Sequence, residues 1–302
     1  MLPFARVAII GLGLIGSSVA RAVREAMPTV RLFGHDADPA VRAAAERLGL
    51  CDDVADSAGA AVTDADLVIL CVPVGAMGAV AAAIAADLPA DAIISDVGSC
   101  KAEVARALAA ALPNATVVPA HPVAGTERSG PEAGFASLFH RRWCILTPPS
   151  GADEGAVERV AAFWRRLGAE VERMTPDHHD RVLAVTSHLP HLIAYTIVGT
   201  ASDLEEVTRS EVIKYSAGGF RDFTRIAASD PTMWRDVFLT NREAVLEMLQ
   251  RFSEDLSQLQ RAIRWGKGDE LFDLFTRTRA IRRSIVDQGQ DDAREDFGRA
   301  HD

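Results

Sequence analysis

The residues most able to do chemistry stand in three clusters. The first is Gly11-Leu12-Gly13-Leu14-Ile15-Gly16, between the β-branched run Val7–Ile10 and a helical pattern carrying Val19, Ala20 and Val23. A G-x-G-x-x-G turn with that strand and helix around it suits a dinucleotide. Gly11 permits the tight turn, Gly13 lets backbone approach a pyrophosphate, and Gly16 lets helix pack on strand, while the amides at the helix start face the phosphates. Asp36 ends the second predicted strand, where an acid accepts hydrogen bonds from the adenosine ribose and repels a 2′-phosphate. No arginine stands between Asp36 and Val41 to neutralise such a phosphate, so NAD is expected over NADP. Val72 and Pro73, at the end of the run Leu67–Val72, are expected to complete the cofactor-binding set.

The second cluster is a pair of loops after predicted strands. Asp96-Val97-Gly98-Ser99-Cys100-Lys101 follows Ala92–Asp96, and the loop from His121 to Gly130, with Glu127 and Arg128, follows Thr116–Pro119. If those strands are neighbours, Ser99 and His121 converge at the carboxyl edge of a sheet, where open α/β folds bind ligands. A histidine there can take a proton from an alcohol as its carbon gives up a hydride, and a hydroxyl beside it can fix the tautomer.

The third cluster lies further on, in Ser187-His188-Leu189-Pro190-His191 and in the stretch from Gly218 through Arg221, Asp222 and Arg225 to Trp234 and Arg235. On one helix face, Arg221 and Arg225 would present guanidinium forks suited to a carboxylate. His178, His179, His188 and His191 lack an acidic or cysteine ligand at convincing spacing, so no metal is expected.

Seven short β-branched runs, Val7–Ile10, Arg31–Gly34, Leu67–Val72, Ala92–Asp96, Thr116–Pro119, Trp143–Thr147 and Glu170–Met174, alternate with amphipathic stretches such as Ala40–Leu48, Val74–Leu88 and Glu103–Leu112. This pattern predicts a doubly wound α/β, Rossmann-type domain over residues 1–175. Thr175-Pro176-Asp177 reads as a helix start, and residues 176–302 as a helical domain for substrate and dimerisation. From Asp230-Pro231 onward, Phe238, Val245, Leu249, Phe252, Leu256, Leu259 and Ile263 follow heptad spacing and need a partner helix, in this chain or in a second copy. The acid-rich stretch 287–302 is expected to be a flexible tail.

The 302 residues, 48% hydrophobic, suffice for two modest domains or one large one, and the net charge of −10 argues against nucleic acid and anionic membranes. Cys51, Cys71, Cys100 and Cys144 form no C-x-x-C pair, which fits a reduced cytoplasm. The N-terminal apolar run is too short for a membrane span and shows no cleavage site.

In GLGLIGSS, DVGSCK, HPVAGTERSG, TSHLPH and GGFRDFTRIAASDPTMWRD, taken in this order over nearly the whole chain, the sequence resembles the prephenate/arogenate (cyclohexadienyl) dehydrogenase family of tyrosine biosynthesis. The resemblance implies a Rossmann-type domain, a helical dimerisation domain and a homodimer. It implies that His121 is the catalytic histidine acting on the ring 4-hydroxyl and that Ser99 is hydrogen-bonded to it. Arg225 would bind a substrate carboxylate, His191 would lie near the substrate side chain, and Glu127, Asp222 and Trp234 would support the pocket. Arg221 or Arg235 is expected to join Arg225 in a local basic cluster for a dianionic substrate. Cys100 stands where the family would have an aliphatic residue. The implied reaction is NAD-dependent oxidative decarboxylation of prephenate, with arogenate, alone or together with prephenate, as the alternative substrate. A β-hydroxyacid or ketopantoate-type dehydrogenase is more remote, since Lys101, Lys214 and Lys267 have no persuasive helical-domain motif. The intact set of Ser99, His121 and Arg225 speaks against a catalytically silent NAD sensor.

Overall fold

In a computed structural model the chain is described over residues 2–203 and 218–287. Six strands form one parallel sheet: β1 (Arg6–Ile10), β2 (Arg31–His35), β3 (Asp53–Val54), β4 (Leu67–Leu70), β5 (Ile93–Asp96) and β6 (Thr116–Val117). Their order is β3-β2-β1-β4-β5-β6. The chain therefore winds outward in one direction from β1 and in the other from β4, which opens a crevice at their carboxyl ends.

The alternation of side chains along β1 shows why both faces are covered. Val7 and Ile9 join a buried cluster with Val19 and Val23 of helix α1 (Leu14–Ala26) and with Phe163 and Trp164 of the helix Glu154–Arg166. Ala8 and Ile10 join the opposite cluster, with Met77, Ile84, Val104 and Leu108. A strand buried on both faces needs apolar residues at every position, and Leu67–Leu70 supplies them.

The run Thr116–Pro119, read as one strand, is divided. Val118 still donates its N–H to Ile94 O at 2.8 Å, but Pro119 has no N–H to continue the ladder. The chain then enters a second sheet through β7 (Ala120–Pro122), antiparallel to β8 (Trp143–Leu146), which runs parallel to β9 (Glu170–Arg173). His121 therefore lies within a strand of the second sheet rather than in a loop after the first. Val74–Leu88 also departs from expectation, as a 3-10 turn, Val74–Ala76, followed by the shorter helix Met77–Ile84.

Beyond Met174 every regular element among the described residues is helical. Thr175 caps α-helix Pro176–Leu183 by accepting the His178 N–H, with Pro176 in the first turn. A π-turn, Ala184–His188, follows and leads into the helix Leu189–Ser202. By length and composition the run Pro176–Ser202 is apolar enough to cross a membrane. Its buried His179, Asp180 and His188 bond to His121, to the Ala102 N–H and to Asn241, all outside the run. The long helix expected from Asp230 is broken at Asn241, into Pro231–Thr240 and Arg242–Arg264. Asn241 donates its side-chain N–H to Asp180 O at 2.8 Å and faces His188 Nδ1. Gly266, at φ +65°, ends the second piece before the helix Gly268–Asp287.

The chain forms two compact units, residues 1–246 and 247–302. The acidic stretch 288–302 and Lys214 lie outside the described residues.

Lys101 is wholly buried, and its ammonium donates to Asp96 Oδ2 and, at 2.7 Å, to Ala120 O. Lys101→Met keeps the bulk but strands the buried Asp96 carboxylate, so urea unfolding at fixed protein concentration is expected to show a loss of about 3 kcal/mol. A loss under about 0.5 kcal/mol, the size of an ordinary surface substitution, would refute this role for the pair.

Candidate functional site

The glycine turn sits at the carboxyl end of β1. Gly11 adopts φ +98°, and a Cβ there would come within 2.6 Å of Cys71 O. A Cβ on Gly16 would lie 1.9 Å from Gly11 O, so helix α1 can pack this closely only on a glycine. Around Gly13 nothing lies within 4 Å of the Cβ position. The space beside that backbone is open, as a cradle for a pyrophosphate requires.

Asp36 is knitted to this turn, accepting the Leu12 N–H at 2.8 Å on Oδ2 and the Asp38 N–H at 3.0 Å on Oδ1. The arginine-free window ends at Val41, and the next residue folds back over it. Arg42 donates to Asp36 O at 2.8 Å and Ala37 O at 3.3 Å. Val72 lies against Gly11, its Cγ1 being 3.1 Å from a Cβ built there. Pro73 opens the 3-10 turn Val74–Ala76.

The loop that follows His121 returns over helix α1. Phe135 donates its N–H to Ser18 Oγ at 3.2 Å, and Gly134 abuts Ser17. The fold thus brings the loop after β7 to the first turns of helix α1, just beyond the glycine turn, and β5, before Ser99, pairs with β6, the strand that leads into β7 and His121.

His121 is buried, and its Nδ1 lies 2.8 Å from His179 Nε2. Among the described residues its hydrogen-bond partner is therefore His179, and the bond expected from Ser99 is not formed. Ser99 lies half-buried in the neighbouring loop. His179 Nδ1 in turn lies 2.8 Å from Asp180 Oδ1, and the Asp180 carboxylate accepts the Lys101 and Ala102 N–H groups at 2.7 and 2.9 Å. Burial, the neighbouring His179 ring and the Lys101 charge all hold the His121 pKa well below the usual 6.5. Burial also lowers His179, against the pull of Asp180. Burial alone would raise Asp180, but the bonds from His179 and the two amides outweigh it and leave the carboxyl below its usual range. His188 falls to about 4, chiefly through burial.

His191 lies in the helix Leu189–Ser202. Its Nδ1 donates to Ser187 O at 2.9 Å, because a carbonyl can only accept, and this leaves Nε2 unprotonated in the neutral ring. The ring stacks on Trp234 at 3.7 Å and 23°. Trp234 belongs with Val237 and Cys100 to a small buried cluster, so Cys100 acts as the small hydrophobe its position requires.

The expected basic cluster is internally neutralised. Arg225 pairs with Glu127 at 2.7 Å, Arg235 with Asp236 at 2.7 Å, and Arg221 faces Asp222 at 3.9 Å. Arg221 and Arg225 do not share one regular helix, since the α-helix ends at Thr224 and Arg225 starts a 3-10 turn. Among the described residues no group of three His, Cys, Asp or Glu side chains is placed to hold a metal ion.

The sequence pattern does not single out Asp180 or Asn241, and it presents His179 only among four histidines lacking metal-ligand spacing. The available signal was adjacency: a His-Asp pair one turn into a capped helix can direct a ring against its own carboxylate. What that ring would meet could not be read.

Comparison with known proteins bears on what this site belongs to. Residues 19–173 match the family model described as prephenate dehydrogenase, nucleotide-binding domain. Residues 175–277 match prephenate dehydrogenase, dimerization domain. The chain belongs to the prephenate dehydrogenase family. A relative from Zymomonas mobilis, named cyclohexadienyl dehydrogenase, is 47% identical, the match covering 94% of this chain and 97% of that protein. A prephenate dehydrogenase from Bacillus subtilis is 34% identical over 90% of this chain and 74% of its own. The prephenate dehydrogenase of A. aeolicus, solved with hydroxyphenyl propionate and NAD+, superposes with a TM-score of 0.87 at 35% identity, covering 94% and 98% of the two chains. This member of the family is an NAD-dependent dehydrogenase with a Rossmann-type domain followed by helices.

The contrast between two glycines tests the cofactor cradle. Gly13→Ala is expected to leave Tm within about 2 °C and to raise KM for NAD roughly tenfold. Gly16→Ala, whose Cβ would strike backbone, is expected to lower Tm itself. An unchanged KM in the Gly13 variant would overturn the assignment.

Proposed function

We propose that the protein catalyses the NAD-dependent oxidative decarboxylation of prephenate to 4-hydroxyphenylpyruvate in tyrosine biosynthesis, and that it also accepts arogenate. The observation that carries the reading is the Arg225–Glu127 ion pair, which ties the loop following His121 to the helical segment that bears the substrate motif. In this reading a proton acceptor and a carboxylate-binding guanidinium serve one site, and the ion pair supports it by joining the chain segments that carry them. The cyclohexadienyl name of the Zymomonas mobilis relative supports the second substrate.

NAD, when bound, supplies the acceptor for the hydride from the ring carbinol carbon. Gly11, Leu12, Gly13, Leu14, Ile15 and Gly16 with Asp36, Val72 and Pro73 would hold it. His121 takes the 4-hydroxyl proton as the ring carboxylate leaves as CO2, and returns it to the phenolate, so no proton is gained or lost overall. Arg225 exchanges Glu127 for a substrate carboxylate, and His191, stacked on Trp234, offers Nε2 to the substrate side chain. Asp222, Arg221 and Ser99 complete the surroundings. Aromatisation drives the step, leaving the protein to align the ring and manage one proton.

His121→Asn is expected to lower kcat by about 100-fold or more, and Arg225→Gln to raise KM about tenfold with kcat largely kept. Because burial lowers the His121 pKa, the base stays neutral below pH 6.5, and the acid limb of kcat/KM lies under that value. Steady-state kinetics with prephenate and arogenate check all three expectations. Near-full kcat in the His121 variant would refute the base assignment, and turnover of neither substrate would refute the function.

The reading includes a homodimer in the cytoplasm. In the unit 247–302, Leu256, Ile263, Phe272, Phe275 and Ile281 are exposed, more apolar surface than a lone helical segment tolerates in water. Sedimentation velocity should give a dimer, and Ile263→Glu combined with Phe272→Glu a monomer. A monomeric wild-type protein at micromolar concentration would overturn the assembly. The four cysteines are free thiols, in keeping with a reducing compartment.

A further inference from the structure

Given His121 as the proton acceptor, what fixes its tautomer is an open matter, because the expected partner, Ser99, does not bond to it. The arrangement around His179 supplies an answer by donor and acceptor arithmetic. The Asp180 carboxylate can only accept, so His179 Nδ1 carries the proton it shares at 2.8 Å. In a neutral His179 ring Nε2 is then an acceptor. The atom it faces at 2.8 Å, His121 Nδ1, must therefore be the protonated nitrogen of the His121 ring. His121 is left with a bare lone pair on Nε2, the state a base needs, whereas free imidazoles favour the opposite tautomer.

We propose that His179, oriented by Asp180, is a positioning residue that holds His121 in the Nδ1–H tautomer and so keeps Nε2 available to the substrate hydroxyl. This rests on the base role assigned to His121 above. The support behind it is itself fixed. Asp180 is held by the Lys101 and Ala102 amides at the start of the helix Ala102–Ala111, and its carbonyl by Asn241. His179 is fully buried, so water cannot replace it as a partner. The charged and titratable groups around the two rings are Asp180, Asp96, Lys101 and His188. As His121 gains a proton on Nε2, its Nδ1–H bond to His179 strengthens, and the Asp180 charge stabilises the cation through the intervening ring.

Two substitutions separate positioning from structural support. A glutamine amide reaches where imidazole Nε2 stands, and an asparagine amide reaches where Nδ1 stands. His179→Gln therefore keeps an acceptor for His121, and His179→Asn keeps a donor for Asp180 but abandons His121. The expected result is that His179→Asn lowers kcat about 10- to 100-fold with KM for prephenate and NAD within about twofold, while His179→Gln stays within about threefold of wild type. The acid limb of kcat/KM should shift in the asparagine variant and not in the glutamine one. In 15N spectra, the His121 ring should show protonated Nδ1 in wild type and revert toward Nε2–H in His179→Asn. Equal kcat in the two variants, or a His121 ring protonated on Nε2 in wild type, would overturn the proposal. If His121→Asn itself kept full kcat, the base reading would fall instead. If His121→Asn lost activity while His179→Asn kept it, only the role of His179 would fall.

Discussion

A buried cation must be paired, and most of the site's geometry follows from how this chain pairs Lys101. With no exposed surface, the Lys101 ammonium can be charged only if acceptors surround it. Asp96 provides one from the end of β5, and Ala120 O provides the other from the start of β7. These bonds clamp the junction at which the chain leaves one sheet for the other. The backbone N–H of the same lysine then holds Asp180. Within one residue's length, the loop after β5 thus fixes both the strand that carries His121 and the helix that carries His179.

From that clamp a chain of buried polar contacts builds outward. Asp180 orients His179, His179 meets His121, and the Asp180 carbonyl holds Asn241, whose side chain also faces His188. Each buried group leans on the next, so an unmet partner would carry the full cost of a desolvated polar atom. The break between the helices Pro231–Thr240 and Arg242–Arg264 has the same origin, since Asn241 leaves regular helix to serve this network. The surface around Arg225 obeys a gentler rule. Arg225 is more than half exposed and bonded to Glu127, and an ion pair in such water-accessible surroundings can be exchanged at little cost.

Features carried by neighbouring residues could be read from the sequence. The turn from Gly11 to Gly16, the acid at Asp36, the cap at Thr175 with Pro176, and five parallel strands near their expected places follow from short-range sterics and period-two patterning. The family resemblance, spread over motifs from GLGLIGSS to DPTMWRD, carried the activity, and the comparisons agree with it. What could not be read has a common cause. The two-residue strand β3 is too short to show a period. The run Thr116–Pro119 has one pattern but serves two sheets, and its division depends on the Pro119 amide lacking a proton. The arginine-free window beyond Asp36 says nothing of a side chain as long as Arg42 folding back over it.

By itself, then, the sequence determined the dinucleotide turn and the doubly wound core, because each depends on conformational preferences within a few residues. Tertiary structure decided which partners the buried polar groups around His121 would have. His121 and His179 lie 58 residues apart, and Lys101 and Asp180 lie 79 apart. Their bonds are imposed by the cost of leaving a desolvated donor or acceptor unmet, and that cost selects a partner only after packing has brought the candidates within reach. For this reason a serine hydroxyl was the expected neighbour of His121, and a histidine ring, backed by a carboxylate, is the one the fold supplies.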